Sequence, residues 1–349
     1  MDKLVFELPV SSTFDIERYD VAGHAEATAR VYSHKGEWLQ GPIQVTSPSG
    51  PRYTIGVFSL LDNLNSAYVD VRHTLLASPA APQGFVPTIN VHPNGWNQGE
   101  VKLVKAAVEK TWRELAGLIH CAFDVYGYHD IRVGAGSGSS SALVQAAIRA
   151  TAADFGVSLR SEKLQSIHSE IERGADPLHL TKPAVVATRV NLGGCARPLG
   201  ERTPRLTAVT WNAGSPVRTT SVKFEYSEDE LLLWKVRWAS LERAIRFDDD
   251  DRVARLATES ARDNQTRNPK VDFELLEEAV ASFGAAGFAV AHTGSYHTAL
   301  FPADTAPAKL QAYVARVRSQ SKGNNPVRGT VVDVQEFDTA QATERRFAQ

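Results

Sequence analysis

Between a short apolar stretch, Tyr128 to Val133, and a longer one, Ala142 to Phe155, the chain reads Gly134-Ala135-Gly136-Ser137-Gly138-Ser139-Ser140-Ser141. The upstream stretch predicts a strand. The downstream one predicts a helix, with Leu143, Val144, Ala147, Ile148 and Ala150 towards one face and Gly156 as its stop. Three glycines at alternate positions let the backbone take positive φ and approach a ligand closely. The helix that follows offers unpaired N–H groups and the positive end of its dipole. Together these make a phosphate cradle, and the serine hydroxyls can bond phosphate oxygens or ligate a hard cation. A flexible linker or a plain helix cap is the bland alternative, and the apolar flanks on both sides argue against it. A nucleotide P-loop needs Lys-Ser or Lys-Thr after its last glycine, and this loop has neither. A dinucleotide fingerprint needs an acidic residue after the next strand, and Asp154 falls inside the predicted helix instead. No register gives the Gly-x-Ser-x-Gly of a nucleophile elbow.

Outward from this loop, helical periodicity runs through Val101–Tyr126, with Val104, Ala107, Val108, Trp112, Leu115 and Ile119 apolar. Before it, Pro79 to Gly99 is rich in proline, glycine and asparagine and predicts a long surface loop. Ala27–Trp38 predicts a strand leading into a turn at Gly36, and Val45–Val57 two short strands around Ser47-Pro-Ser-Gly-Pro51. Ser161–Glu172 predicts a third helix. Gly193, Gly194, Pro198, Gly200 and Pro204 mark a domain boundary, giving domains 1–200 and 201–349. Past it, strands are expected at Leu206–Trp211, Ser221–Tyr226, Phe288–Ala291, Thr298–Phe301 and Thr330–Val334. Helices are expected at Leu231–Phe247, Asp272–Phe283 and Ala308–Val317. Helices and strands interleave in both halves, so the class is mixed α and β.

Composition narrows the function. The 349 residues predict roughly two domains and a core that needs no staples. With 38 basic and 40 acidic residues, bulk nucleic-acid binding has no electrostatic basis. Two cysteines argue against a disulfide scaffold, and no apolar run reaches the ~20 residues of a membrane span. Met1 to Pro9 carries Asp2, Lys3 and Glu7 and does not read as a secretory signal, so a cytoplasmic protein is expected. Two features imitate function. Asp248 to Asp251 looks like a metal cluster but is better explained as charge at a helix N-terminus. Trp234, Trp238 and Phe247 alternate with Lys235, Arg237, Arg243 and Arg246, a spacing that fits an amphipathic core helix better than a nucleic-acid surface.

Val133 to Ala142 resembles the ATP-phosphate loop of the GHMP kinases, the superfamily of galactokinase, homoserine kinase and mevalonate kinase. Lys35-Gly-Glu-Trp-Leu-Gln-Gly41 is similar to the first motif of that superfamily, in the form used by the L-threonine kinase branch. Gly287 to Ser295, ending Ala291-His-Thr-Gly-Ser295, resembles the third. The motifs span residues 35 to 295. The sequence departs from the pattern at Ser137, where a small or apolar residue is usual, and at Tyr296 and His297, where the third motif is usually small or aliphatic. The resemblance implies an α+β two-domain fold: an N-terminal ATP-binding domain like ribosomal protein S5 domain 2, and a ferredoxin-like C-terminal domain. It implies ATP with its phosphates on Gly134, Gly136, Ser137, Gly138, Ser139, Ser140 and Ser141, and Mg²⁺ as cofactor.

His168 to Pro177 supplies the acidic candidates. Glu170 and Glu172 lie about 200° apart on a helix, so one of them can face a site. The resemblance favours Glu172, with Ser140, as metal ligand, and Asp176 as the group that accepts or orients the acceptor's hydroxyl proton. Read alone, Asp176 is equally a helix-terminating turn residue. Lys35 can offset charge on the transferring phosphoryl group, although a lone lysine is more often surface. Glu37 and Gln40 either contact the acceptor or stabilise the turn of the first motif. Thr293, Gly294 and Ser295 form a polar turn able to close over phosphates or acceptor. His292 reads as structural, and neither it nor His34 has metal-ligand spacing with another cluster. The branch resemblance implies phosphorylation of L-threonine to O-phospho-L-threonine, which in that branch feeds the cobalamin nucleotide loop. Homoserine or another small alcohol, a non-catalytic nucleotide-binding regulator and, more remotely, an NAD-dependent oxidoreductase are the alternatives. The partner expected is a small hydroxylated molecule, with neither nucleic acid nor membrane, and a homodimer is an open option.

Overall fold

The computed structural model describes residues 17–18, 27–47, 50–117, 119–172, 176, 178, 185–188, 196–214, 225–321 and 335–339. The expected strand at 330–334, most of that at 221–226, the Gly193-Gly194 pair, the N-terminal segment 1–9 and residues 173–175 and 177 lie outside them. In chain order the elements are β1 (Glu17–Arg18), β2 (Thr28–Ser47), β3 (Gly50–Ala80), β4 (Ile89–Pro93), α1 (Gln98–Ala116), β5 (Ile119–His129), α2 (Ser139–Asp154), β6 (Val157–Ser158) and α3 (Ser161–Ile171). They continue as β7 (Val185–Thr188), β8 (Ala196–Pro198), β9 (Leu206–Asn212), α4 (Glu228–Arg246), α5 (Asp250–Arg267), α6 (Phe273–Phe283), β10 (Gly287–Val290), β11 (Tyr296–Pro302), α7 (Pro307–Gln320) and β12 (Gln335–Asp338).

Two compact units interleave along the chain, whereas the sequence reading divides it once, after residue 200. One unit combines residues 1–31, 67–129 and 143–172; the other combines 32–66, 130–142 and 173–349.

In the first unit, β4 and β5 are parallel neighbours joined by α1, a βαβ unit, and Ala67–Leu75 of β3 runs antiparallel to β5. Asn97 caps α1 in a reciprocal capping box with Glu100, and the helix buries Val104, Ala107, Val108, Thr111 and Trp112. The expected helix to Tyr126 is therefore corrected: α1 ends at Ala116, and residues 119–126 are strand. Cys121, Phe123 and Val125 are buried at every second position, which a helix cannot achieve on one face. The same pairing draws Ile89–Pro93 out of the expected loop as β4, and β5 ends at His129, so 130–133 are not strand.

In the second unit, β12, β9, β11 and β10 lie side by side in that order, each pair antiparallel. Numbered by appearance this is 4-1-3-2, the ferredoxin-like arrangement, with α4, α5 and α6 between the first two strands. β10 continues the sheet to β2 through Val290 and Glu37. Ser227 and Glu230 form the capping box of α4, which buries Trp234, Trp238, Leu241 and Ile245 at helical spacing. Trp38, Leu60 and Leu256 join them in one core cluster, and Trp211, Phe288, Phe301 and Tyr313 belong to another. The guanidinium of Arg237 covers the Trp234 ring at 4.8 Å, so these aromatics serve the core. Asp249 caps α5 and accepts from the Arg252 N–H, as expected of an aspartate run at a helix start.

Candidate active site

The Gly/Ser loop belongs to the second unit and runs into α2. Gly134, Gly136 and Gly138 have φ of 75°, 77° and 73°. Left-handed backbone at alternate positions turns successive N–H groups towards a common centre, the geometry that binds anions. The first turn of α2 holds serines and no acidic residue, so nothing there competes with an anion for the helix dipole.

Both other motifs are fastened to this loop. From the first, the His34 N–H donates to Ser137 O (3.2 Å). From the third, the Ser295 N–H donates to Ala135 O (2.9 Å). Gly294 lies so close that a Cβ on Gly136 would come within 2.5 Å of its Cα. The Ser295 hydroxyl donates to Asn212 Oδ1 (3.1 Å), and Thr293 and Ser295 are both buried. The third motif is thus a packed brace against the loop. Its carbonyls are held in turn by the end of α5 and the loop after it. Asn264 Nδ2 donates to His292 O (3.1 Å), Asn268 Nδ2 to the same oxygen (2.8 Å), and Lys270 Nζ to Gly294 O (2.5 Å). Burial pushes the Lys270 ammonium down to about 8, against the opposing pull of Glu37.

Asp176 is buried beside the loop. Its backbone N–H donates to Ser141 Oγ (2.9 Å), and a Cβ on Gly138 would stand 3.1 Å from its Oδ2. His34, also buried, places Nε2 3.6 Å from that same oxygen and Nδ1 3.9 Å from Glu37 Oε1. Among the serines, Ser139 and Ser141 are buried and Ser140 is half-buried. The Ser137 hydroxyl is buried and has no hydrogen-bond partner.

Lys35 corrects the surface expectation. It is fully buried, its Nζ donating to Asn65 Oδ1 (2.6 Å), 3.4 Å from Asp62 Oδ2 and 4.4 Å from the centre of the Tyr296 ring. Glu37 and Gln40 are buried too. With Ser260, Asn264 and His292 they line a cavity of about 10 Å³, room for about one water. Of the two roles left open for them, this enclosure supports stabilising the first motif.

Glu172 ends the first unit. Its Oε2 is 3.1 Å from His168 Nε2, and His168 Nδ1 is 3.2 Å from the Gln145 amide. Glu170 pairs instead with Lys110 (2.7 Å) and is exposed. An oxygen-only donor set of carboxylate and hydroxyl suits Mg²⁺. Among the described residues, no group of three or more His, Cys, Asp or Glu side chains could hold a metal ion by itself, and no helix is long and apolar enough to cross a membrane.

The sequence reading missed His34, Asp62, Asn264, Asn268 and Lys270. His34 had one legible signal, its place next to the first motif. The others come from segments without a motif and reach the site only through packing.

Residues 102–180 match the family profile described as GHMP kinases N terminal domain. Among solved structures, the phosphomevalonate kinase of Streptococcus pneumoniae is similar with a TM-score of 0.61 and 12% identity, over 90% of this chain and 100% of its own. Homoserine kinase from Cytophaga hutchinsonii gives 0.58 at 13% identity, over 91% and 96%. Mevalonate kinase of L. major, solved with R-mevalonate, gives 0.55 at 14%, over 93% and 97%. At these identities the likeness is one of fold. No curated protein sequence matches the chain. The matched segment is thus similar to the N-terminal domain of GHMP kinases, and the fold is that of GHMP-type kinases.

Proposed function

We propose that this protein transfers the γ-phosphoryl group of ATP to the hydroxyl of a small molecule, with L-threonine as the acceptor and O-phospho-L-threonine as the product. The observation that carries the reading is the loop with three left-handed glycines at the start of α2, with the Asp176 carboxylate buried beside it. Gly134, Gly136, Ser137, Gly138, Ser139, Ser140 and Ser141 bind the phosphates through backbone N–H groups and serine hydroxyls. Asp176 orients the acceptor hydroxyl and takes its proton as the oxygen attacks phosphorus. The bond to the ADP oxygen breaks, and ADP leaves. Phosphoryl transfer asks mainly for charge neutralisation, to which the fixed dipoles of the loop contribute, and for positioning, to which the buried carboxylate contributes.

Ser140 and Glu172 are the proposed Mg²⁺ ligands, and the ion would neutralise phosphate charge. Lys35 stands in this reading as a buried positive charge under the first motif. Thr293, Gly294 and Ser295 hold the loop in shape on the side of the third motif, and Glu37 and Gln40 do the same from the first. The domain assignment 1–200 for ATP and 201–349 for the ferredoxin-like part, and a cytoplasmic location, belong to the same reading. Threonine rests on the form of the first motif. Homoserine is the second reading, favoured by the fold likeness to a homoserine kinase.

The test is ADP release from ATP and Mg²⁺ with L-threonine, L-homoserine, L-serine and mevalonate as separate acceptors. Threonine-dependent release is expected, with Asp176→Asn lowering kcat about 10²- to 10⁴-fold while ATP still binds. Release with another acceptor replaces threonine in the reading. ATP binding without turnover on any acceptor points to a regulator.

A further inference from the structure

The His34 ring lies between two acids of the candidate site. The imidazole is buried and reached from three directions. Nδ1 lies 3.3 Å from Gly36 O, an atom that accepts and cannot donate, so Nδ1 carries a hydrogen. Glu37 Oε1 lies 3.9 Å from the same nitrogen. Nε2, on the other edge, faces Asp176 Oδ2 at 3.6 Å. In a neutral ring with its hydrogen on Nδ1, the Nε2 lone pair would point at a carboxylate. In the other neutral tautomer, the Nδ1 lone pair would point at a carbonyl and a second carboxylate. Protonation of both nitrogens turns every one of these contacts into an attraction. Two lysines around the motifs, both among the described residues, are engaged with other groups. Lys35 is beside Asp62, and Lys270 donates to the carbonyls of His292 and Gly294.

We propose that His34 is a resident imidazolium and the positioning residue of Asp176. It keeps the Asp176 carboxylate ionised and fixes one of its oxygens beside Gly138, so the carboxylate is ready to accept the acceptor's proton. His34 keeps its own two protons throughout, and the proton released by the acceptor hydroxyl goes to Asp176. The backbone N–H of His34 to Ser137 O ties the same residue to the phosphate loop, so base and loop are set by one side chain and its peptide. This inference rests on the kinase reading for its catalytic meaning, and not for the protonation state itself.

The experiment has two arms. In the first, ¹⁵N-histidine NMR is recorded at pH 7.5 on the full chain, with His34 assigned by its loss in His34→Gln or His34→Asn. The expected spectrum shows both His34 ring nitrogens protonated in the wild type, and a neutral ring with hydrogen on Nδ1 in Asp176→Asn. A neutral His34 in the wild type, or a charge that Asp176→Asn leaves in place, overturns the proposal and leaves the kinase reading standing. In the second, His34→Gln keeps a donor near Asp176 but removes the charge. It is expected to lower kcat about 100-fold with KM for ATP within about threefold of wild type. A kcat within about threefold of wild type overturns the positioning role. Wild-type protein without turnover on any acceptor overturns the kinase reading, while the NMR arm still decides the protonation of the pair.

Discussion

Lys35 carries its charge into a site from which water is excluded. Its ammonium is compensated by Asp62, hydrogen-bonded by Asn65 and covered by the Tyr296 ring. Asp62 also accepts from the Ser33 hydroxyl and from the N–H groups of Leu64 and Asn65. Removing one member of a buried pair leaves the other charge stranded, at a cost of about 3–5 kcal/mol. Lys35→Ala is therefore expected to lower the unfolding free energy obtained from urea titration by that amount. Unchanged stability with lost turnover would instead place the Lys35 charge on the phosphoryl group. Nothing in Ser33-His34-Lys35 as letters distinguishes these outcomes. The run is polar, and its burial follows from the sheet that forms around it. Asp176 shows the converse. The resemblance alone proposes a role for it, and the structure places its N–H on Ser141 Oγ and its carboxylate beside Gly138.

At the level of elements, the glycine/serine loop keeps its shape because the third motif packs against it. A side chain at Gly294 would overlap the backbone of Ala135 and Gly136, atoms that cannot swing aside. Gly294→Ala is expected to weaken ATP binding at least tenfold, about 1.4 kcal/mol, by calorimetric titration. Gly156 is the contrast. It ends α2 at φ 69° with open space around its Cβ position. Gly156→Ala should cost about 1–2 kcal/mol of stability, from left-handed backbone alone, and leave ATP affinity unchanged. Equal losses of affinity in both variants would mean that the brace is not what shapes the loop. The helices were legible wherever periodicity, caps and stops agreed, as in α2, α3, α4, α6 and α7. The start of β5 was not, because Ile119 continues the apolar spacing of α1 by chance. Its pairing with β3 and β4 outweighs that pattern.

For the whole molecule, His297 links folding to pH. It is buried, with Nδ1 donating to Ser295 O (3.1 Å). Burial, assisted by the Lys270 charge, pushes it down to about 4 from 6.5, against opposing contacts that include Asp272. The unfolded chain takes up a proton near pH 6.5 that the folded chain refuses until about pH 4. Stability is thus fully present above about pH 6.5 and falls as the pH drops towards 4, by up to about 3 kcal/mol. Urea unfolding from pH 7.5 to 4.5 should show this loss, and His297→Gln should reduce it. An unchanged slope in that variant would assign the loss to other groups.

The sequence alone determined the alternation of helices and strands, the glycine/serine loop with its three glycines, and the order of the three motifs. Each is a local property, set by periodicity, by the absence of a Cβ and by residue type. Which polar residues lose water, and which charges face one another, was decided by the tertiary structure. Lys35 meets Asp62, and His34 sits between Glu37 and Asp176, because segments distant in the chain fold together, and the energies of buried charges depend on those neighbours.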